Sequence, residues 1–250
     1  MRPLAAALKD GAWSGRRAFV VGSGPSLAGF DRSLLDGENW IACNEEYRYG
    51  KPTIALVQDV RLFHQGDPVH GLVPLRSRPD WAGGGRHVPV YFKGHPDRED
   101  IEAPDTVFQA TSAHSKEAPF RWGKTLAEGL YYGANVGMSA INLADILGAD
   151  PIYLLGFDAR FEDERAHHHE HYPEGWALDA PNARESVYRR WHREFRKIAQ
   201  VVRARVVNLN PDSGIDAFPK ARALWMYRYE SKGTSQAYIG HFRGIEPVGL

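Results

Sequence analysis

Short apolar runs, separated by segments long enough to form helices, constrain the fold of this 250-residue chain most strongly. These runs occupy residues 17–21, 40–43, 53–57, 152–155 and 206–209. Helical periodicity predicts helices over residues 135–147 and 184–203. Strands that are apolar throughout are typical of a parallel sheet whose two faces are both buried. The sequence therefore predicts an α/β fold with a mostly parallel sheet and helices on both faces.

Composition narrows the class of protein further. The chain has 31 Lys and Arg against 31 Asp and Glu, and 43 % of its residues are hydrophobic, which is ordinary for a globular protein. Its single cysteine, Cys43, excludes a disulfide scaffold and a cysteine-based zinc site. No apolar run approaches the roughly 20 residues of a membrane span, and the first ten residues lack a secretory signal pattern. We expect one cytoplasmic domain over residues 1–250.

Polar clusters follow the predicted strands, where ligands bind in parallel α/β sheets. The first cluster is a glycine-rich loop, in which glycines would let the backbone approach a phosphate and N–H groups would bind it. A plain tight turn would use the same residues. The residues of this loop are Gly22, Ser23, Gly24, Pro25 and Ser26.

Three further polar residues are predicted to contact a ligand, each with an alternative. Asn44 could contact ribose or base, or cap a helix over residues 45–49. Asp59 could hold a ribose or a metal, or cap a helix that starts at Val60. Asn135, among Gly129, Gly133 and Gly137, could bring a polar helix end to the ligand, while the glycines permit close packing of helix on sheet.

A histidine-rich segment is the sharpest chemical feature: His167, His168, His169 and His171. One of these imidazoles could act as a general base near neutral pH if a carboxylate such as Asp158 tunes it. Metal binding and a loop without chemistry are the alternatives, and neighbouring histidines on one loop cannot all reach one ion.

The predicted helix 184–203 is amphipathic, and residues 181–250 carry 13 Lys and Arg against 6 Asp and Glu. Burial of its apolar stripe would turn a basic face outward, which could bind a polyanion such as DNA or be an ordinary solvated face. The basic residues are Arg189, Arg190, Arg193, Arg196 and Lys197.

Six motifs in one order resemble the bacterial lipo-oligosaccharide sialyltransferases and a wider group of GPSL-containing proteins, including phage-encoded ones and archaeal-type pterin pyrophosphokinases. The motifs are VVGSGPSL, ACNEEY, ALVQD, GANVGMSAINLADILGADPIYLLGFD, the His/Tyr segment and VVNLNPDSGIDAFP. The resemblance covers residues 16–219. It implies a Rossmann-like single domain that binds a nucleotide-activated donor, with an active-site insert at 156–182 and a C-terminal extension at 220–250.

The resemblance also implies roles for individual residues. Ser23, Asn44, Asp59 and Tyr153 stand where the family contacts its donor, and Tyr153 lies near the donor phosphate. The family base lies in a His-Tyr-x-x-His stretch. Here His171-Tyr172 preserves only the first half, so the base is expected to be His168, His169 or His171.

The function expected from these features is glycosyl transfer from a nucleotide sugar to a hydroxyl of a surface glycan or of a hydroxymethylated pyrimidine in DNA. No residue is assigned to a metal in this hypothesis, and a need for a divalent ion stays open. One alternative is a Mg²⁺-dependent pyrophosphokinase of the pterin type, in which Asp59 and Asp158 would hold the ion. A non-catalytic nucleotide-binding module is the other.

Overall fold

A computed structural model describes residues 2–58, 88–93, 108–113, 120–160, 166–169, 181–223 and 245–247. Ten strands are present in this part of the chain: β1 (Arg2–Pro3), β2 (Ala18–Val21), β3 (Asn39–Cys43), β4 (Ile54–Val57), β5 (Val88–Lys93), β6 (Phe108–Thr111), β7 (Ile152–Leu155), β8 (Val206–Asn208), β9 (Ala221–Ala223) and β10 (Ile245–Pro247). The α-helices are α1 (Val136–Ile146) and α2 (Pro181–Ala199), and 3₁₀ helices occupy Leu4–Ala6, Pro25–Leu27, Arg32–Leu35 and Asn44–Arg48.

Eight strands form one parallel sheet in the order β1-β6-β5-β4-β3-β2-β7-β8. From β2 the chain builds outward through β3, β4 and β5 to β6, then returns through α1 to place β7 on the other side of β2. Strands β9 and β10 pair antiparallel in a separate ribbon. The fold is α/β and Rossmann-like, and the mostly parallel sheet predicted from the sequence is confirmed.

Alternate residues of each strand enter two hydrophobic cores, which explains why the strands are apolar throughout. On one face Ala18 and Val20 pack with α1, all of whose residues are buried. On the other face Phe19 and Val21 pack under the 3₁₀ segments, which contribute Leu27, Leu35 and Tyr47. Among the described residues, 3₁₀ turns thus take the place of long helices on the second face.

Helix α2 ends at Ala199, four residues before the predicted end at Arg203. A carboxylate from α1 holds the following residues outside the helix, since Asp145 Oδ1 accepts hydrogen bonds from the backbone N–H groups of Arg203 and Ala204, both at 3.1 Å. The next residues therefore leave the helix and enter β8. None of the described helices is both long and apolar enough to cross a membrane.

Tyr131 ties α2 to the segment before α1, since its hydroxyl donates to Glu194 Oε2 at 2.5 Å, while Lys197 Nζ donates to Oε1 at 3.0 Å. Burial acts to raise the pKa of Glu194, but the hydrogen bonds from Tyr131 and Lys197 outweigh it and lower the pKa. The ionised carboxylate therefore stabilises the fold above the ordinary glutamate pKa, and this contribution is lost as the pH falls through the lowered value.

Tyr131→Phe is expected to lower the free energy of unfolding by about 1 kcal/mol at neutral pH, the contribution of one hydrogen bond. Urea denaturation at a series of pH values measures this. The difference between variant and wild type should shrink once Glu194 is protonated. A difference that stays constant into acid would contradict the role given to Glu194.

Candidate functional site at the sheet switch point

The order of the strands reverses beside β2, because β3 and β7 flank it and the chain continues outward on each side. In open parallel sheets such a switch point opens a crevice at the carboxyl ends of the strands. The loops that follow β2 and β7 meet there. They carry the glycine-rich sequence 22–26 and the sequence 156–158.

Hydrogen bonds join these two loops closely. Gly22 N donates to Leu155 O at 2.8 Å and Gly24 N donates to Gly156 O at 2.9 Å. A Cβ on Gly24 would lie 2.5 Å from Asp158 Oδ2, so only glycine fits there. The glycines therefore allow the two loops to approach one another, and these two N–H groups are already used. The predicted contact of this loop with a phosphate stays a prediction.

Asp158 is the centre of this junction and is only 2 % exposed. Its Oδ2 accepts from Ser26 N at 2.7 Å, and its Oδ1 accepts from Ser26 Oγ at 2.6 Å and from Asn210 Nδ2 at 2.7 Å. The carboxylate thus connects the loops that follow β2, β7 and β8. These bonds give Asp158 a loop-organising role, and the proton-transfer and metal-binding roles considered from the sequence stay predictions.

Ser23 and His167 meet across the crevice, although 144 positions separate them. The Ser23 Oγ lies 2.8 Å from His167 Nδ1. The next residue, His168, donates its backbone N–H to Ser23 O at 3.0 Å. The glycine-rich loop and the histidine segment, defined here as residues 167–169, therefore form one site, with Ser23 held at both its side chain and its carbonyl.

Below this contact lies a buried ionic network of Arg32, Glu46 and His168. His168 Nε2 is 2.6 Å from Glu46 Oε1, and Arg32 Nη2 donates to Glu46 Oε2 at 3.0 Å. Arg32 Nη2 also lies 3.0 Å from His168 Nε2. The shorter contact assigns a proton to Nε2, which donates to the carboxylate. The side chains of Arg32, Glu46 and His168 are 5 %, 0 % and 6 % exposed.

The ring of Tyr49 packs against two residues of the histidine segment. The Tyr49 ring meets His168 edge-on at 4.9 Å between centroids, and it stacks with His169 at 6.2 Å. The rings of His167 and His169 stack at 5.6 Å. Burial and the charge of Glu46 raise the pKa of Tyr49 to about 12, so its hydroxyl stays protonated at neutral pH. The imidazoles of His168 and His169 therefore pack against an uncharged tyrosine ring.

Glu46, His168 and His169 have potential metal-ligand atoms within 4.8 Å of one another. However, the Arg32 guanidinium contacts two of these three groups. A cation bound there would face this fixed positive charge at close range, where repulsion is large. The cluster therefore fits a charge-compensated network of protein groups better than a metal centre.

The other predicted ligand-binding residues make contacts within the protein. Asn44 has a left-handed backbone (φ 52°), and its Oδ1 accepts from Gln58 N at 3.3 Å, which links the ends of β3 and β4. Its side chain does not cap the following 3₁₀ helix, whose N-cap residue is Cys43. Asn135 caps α1 by accepting from Met138 N at 3.1 Å. Tyr153 lies within β7, where its ring packs on Phe19 at 5.4 Å.

Several predicted residues lie outside the described part of the chain: Asp59, His171, Tyr172, and most of the segments 156–182 and 220–250. The roles predicted for Asp59 and His171 therefore stay predictions. Donor contacts of Asn44, Asn135 and Tyr153 also stay predictions, and the structure gives each of these side chains a contact within the protein.

The positive charge of the basic face of α2 is partly compensated. Four of its five basic residues have a carboxylate within 4.0 Å: Arg189 with Glu185, Arg193 and Lys197 with Glu194, and Arg196 with Asp216. Because these three carboxylates offset part of the positive charge, the face attracts phosphates less than the sequence alone suggests. This weakens the sequence-based argument for DNA as the acceptor.

Sequence reasoning missed Arg32, Glu46 and Tyr49 as members of the site, and it left His167 out of the expected bases. One available signal was the pair of acids directly after Asn44, at the end of β3. Another was Arg32, which follows the glycine-rich loop. Both follow central strands of the sheet.

Comparison with known proteins gives little further information. No protein-family model matches the chain, and no curated protein matches it. One solved structure, a MAf glycosyltransferase from Magnetospirillum magneticum AMB-1, aligns over 86 % of this chain with 15 % identity and a TM-score of 0.42. This chain spans 34 % of that protein.

Proposed function

We propose that this protein is a glycosyltransferase that moves a sugar from a nucleotide-sugar donor to an acceptor hydroxyl, with His167 as general base. The observation that carries the proposal is the 2.8 Å contact between Ser23 Oγ and His167 Nδ1 at the switch point of a parallel sheet. It joins the loop that resembles a donor-binding motif to a residue that can accept a proton. The order of the six sequence motifs supports glycosyl transfer as the chemistry.

His167 is favoured over its neighbour because of what the two rings contact. The Nε2 atom of His168 is directed to the buried Glu46 carboxylate, whereas His167 contacts the Ser23 hydroxyl through Nδ1. When Nδ1–H of His167 donates to Ser23 Oγ, the basic lone pair lies on Nε2. This tautomer would present Nε2 as the atom that accepts the proton of the acceptor hydroxyl.

The proposed reaction is a single displacement. The acceptor oxygen transfers its proton to His167 Nε2 and forms a bond to the anomeric carbon. The bond between that carbon and the phosphate oxygen breaks, and its electron pair leaves with the nucleotide. The Ser23 hydroxyl orients the imidazole through Nδ1, and it would support the imidazolium that forms.

The contacts of Asp158 disfavour a pyrophosphokinase. Such an enzyme would need acidic oxygens to hold Mg²⁺, yet both Asp158 oxygens accept hydrogen bonds from Ser26 and Asn210 inside the protein. Asp158 is therefore assigned no metal in this proposal. The leaving phosphate would be stabilised by protein groups.

Sugar transfer is expected to continue at an unchanged rate in EDTA, because the proposal places no ion at the reacting bond. Release of nucleotide from donor and acceptor, followed with and without EDTA and with added Mg²⁺, measures this. Loss of activity that Mg²⁺ restores, with ATP as the donor, would favour the pyrophosphokinase. If transfer from a nucleotide sugar requires a metal ion, the protein would still be a glycosyltransferase, and Asp59 would be the candidate metal ligand.

The acceptor class is tested by a panel of nucleotide sugars offered with a lipo-oligosaccharide, hydroxymethylcytosine DNA and hydroxymethyluracil DNA. We propose a surface glycan, since the basic residues of α2 are largely paired with acids. Mass spectrometry of the acceptors identifies the product. Sugar on DNA, with binding that weakens steeply as salt rises, would establish the other acceptor. Nucleotide binding without turnover on any acceptor would favour a non-catalytic module.

A further inference from the structure

We infer that Glu46, held by Arg32, is a positioning residue that fixes the histidine segment against Ser23 and so places the proposed base. This inference rests on the proposed function, because it assigns Glu46 a role in the same site. Glu46 contacts His168, so its effect on His167 passes through the neighbouring residue.

The two charged residues that hold His168 lie in segments that follow strands of the sheet. Arg32 Nη1 donates to the carbonyls of Leu27 and Phe30 at 3.1 and 2.7 Å, which fixes the guanidinium in the segment after β2. Its Nη2 donates to Glu46, which belongs to the 3₁₀ helix after β3. Arg32 and Glu46 therefore support the histidine segment from the segments that follow two neighbouring strands, β2 and β3.

The histidine segment in turn touches the glycine-rich loop at Ser23. His168 donates its backbone N–H to Ser23 O, and His167 contacts Ser23 Oγ. A displacement of His168 would therefore move the His167 ring away from the hydroxyl that orients it. Misplacement of a reacting group by about 1 Å can cost about 100-fold in rate.

Stability alone accounts poorly for this arrangement. A buried ion pair gains little over apolar side chains of the same volume, because both charges lose their hydration. Here Arg32 and Glu46 are almost fully buried, and Glu46 Oε1 accepts the hydrogen bond that holds one imidazole. A role in fixing the orientation of the His168 side chain accounts for the free-energy cost of burying the two charges.

The test compares two glutamates that precede and follow the same strand, β3. Glu46→Gln removes the charge that holds His168. The matched control is Glu38→Gln, because Glu38 binds Arg17 through two hydrogen bonds of 3.0 and 2.7 Å at the opposite end of β2 and β3. Glu46→Gln should lower kcat by about 10- to 100-fold and leave donor Kd within about threefold. Glu38→Gln should leave both constants within about twofold.

A double-variant cycle separates positioning from a general loss of structure. In a His167→Asn background, Glu46→Gln should cost little further, because its effect passes through the base. The inference would be overturned if the effects of the two substitutions on kcat multiplied. Equal losses of kcat for Glu46→Gln and Glu38→Gln would overturn it as well. If Glu46→Gln does not fold, Arg32→Lys replaces it, since lysine keeps the charge but cannot reproduce the planar contacts of Arg32.

A measurement without turnover distinguishes this inference from the proposed function. In ¹H–¹⁵N NMR spectra of the imidazole rings of wild type, the Nε2–H proton resonance of His168 should lie far downfield because of its 2.6 Å contact with Glu46. Glu46→Gln should move both this resonance and the ring resonances of His167. If the His167 resonances stay unchanged, the positioning role is wrong even if the enzyme transfers sugar. If they move but no acceptor is glycosylated, the proposed function fails instead.

Discussion

His167→Asn is expected to lower kcat for sugar transfer by about 10²- to 10⁴-fold, the usual contribution of a general base. Asparagine can place a nitrogen or oxygen near the position of Nδ1 and keep the contact with Ser23 Oγ, which is 2.8 Å in the wild type. It cannot accept the proton that Nε2 would take. Donor affinity measured by calorimetry should change little, so the loss should appear in kcat.

The matched control for this experiment is His169→Asn. His169 belongs to the same segment, is half-buried like His167, and stacks on it at 5.6 Å between centroids. We expect this variant to retain activity within about tenfold, because the proposal gives His169 no proton to carry. A large loss for His169→Asn with normal kcat for His167→Asn would move the base to His169.

Asp158→Ala is expected to reduce the free energy of unfolding by about 3 kcal/mol or more, since each buried donor left without an acceptor costs about 1–3 kcal/mol. Ser26 N, Ser26 Oγ and Asn210 Nδ2 would all lose their acceptor. Urea denaturation measures the change. Because hydrogen bonds from Ser26 to Asp158 hold the glycine-rich loop in place, donor binding should weaken at the same time.

Asp216→Ala serves as the control for the loss of a carboxylate. Asp216 accepts a hydrogen bond from Arg196 at 2.6 Å, but both side chains are more than half exposed. Exposed ion pairs contribute little to stability, so its denaturation curve should overlay that of wild type. Equal losses for the two aspartates would show that Asp158 contributes no more than a surface charge.

Much of the sheet could be predicted from the sequence because apolar runs report burial on both faces. The predicted strand 152–155 matches β7, and the runs at 17–21 and 53–57 differ from β2 and β4 by one residue. Strand β6, Phe108–Thr111, is not among the predicted strands, because its sequence FQAT is half polar. Strand β1, two exposed residues long, carries no pattern that could reveal it.

The candidate site could be predicted only as far as its location. Strand ends indicate where polar residues gather, and the structure brings Ser23, which follows β2, within 2.8 Å of His167. The partners of those residues depend on loop paths across the fold. Glu46 lies in the charged sequence NEEYR, which is typical of a solvated turn, yet it is fully buried because Arg32 compensates its charge. No local pattern indicates a pair that forms between separate loops.

The place of β2 between β3 and β7 also has a consequence for how the chain reaches its native state. The strand gains its first neighbour from residues 39–43 but its second only from residues 152–155. During synthesis β2 must therefore keep one edge unpaired until more than a hundred further residues have been made. Such long-range pairing is slow, and an apolar edge left open invites pairing with other chains. A nascent chain that stalls before β7 has been made should therefore aggregate, whereas a chain synthesised beyond β8 can complete the sheet.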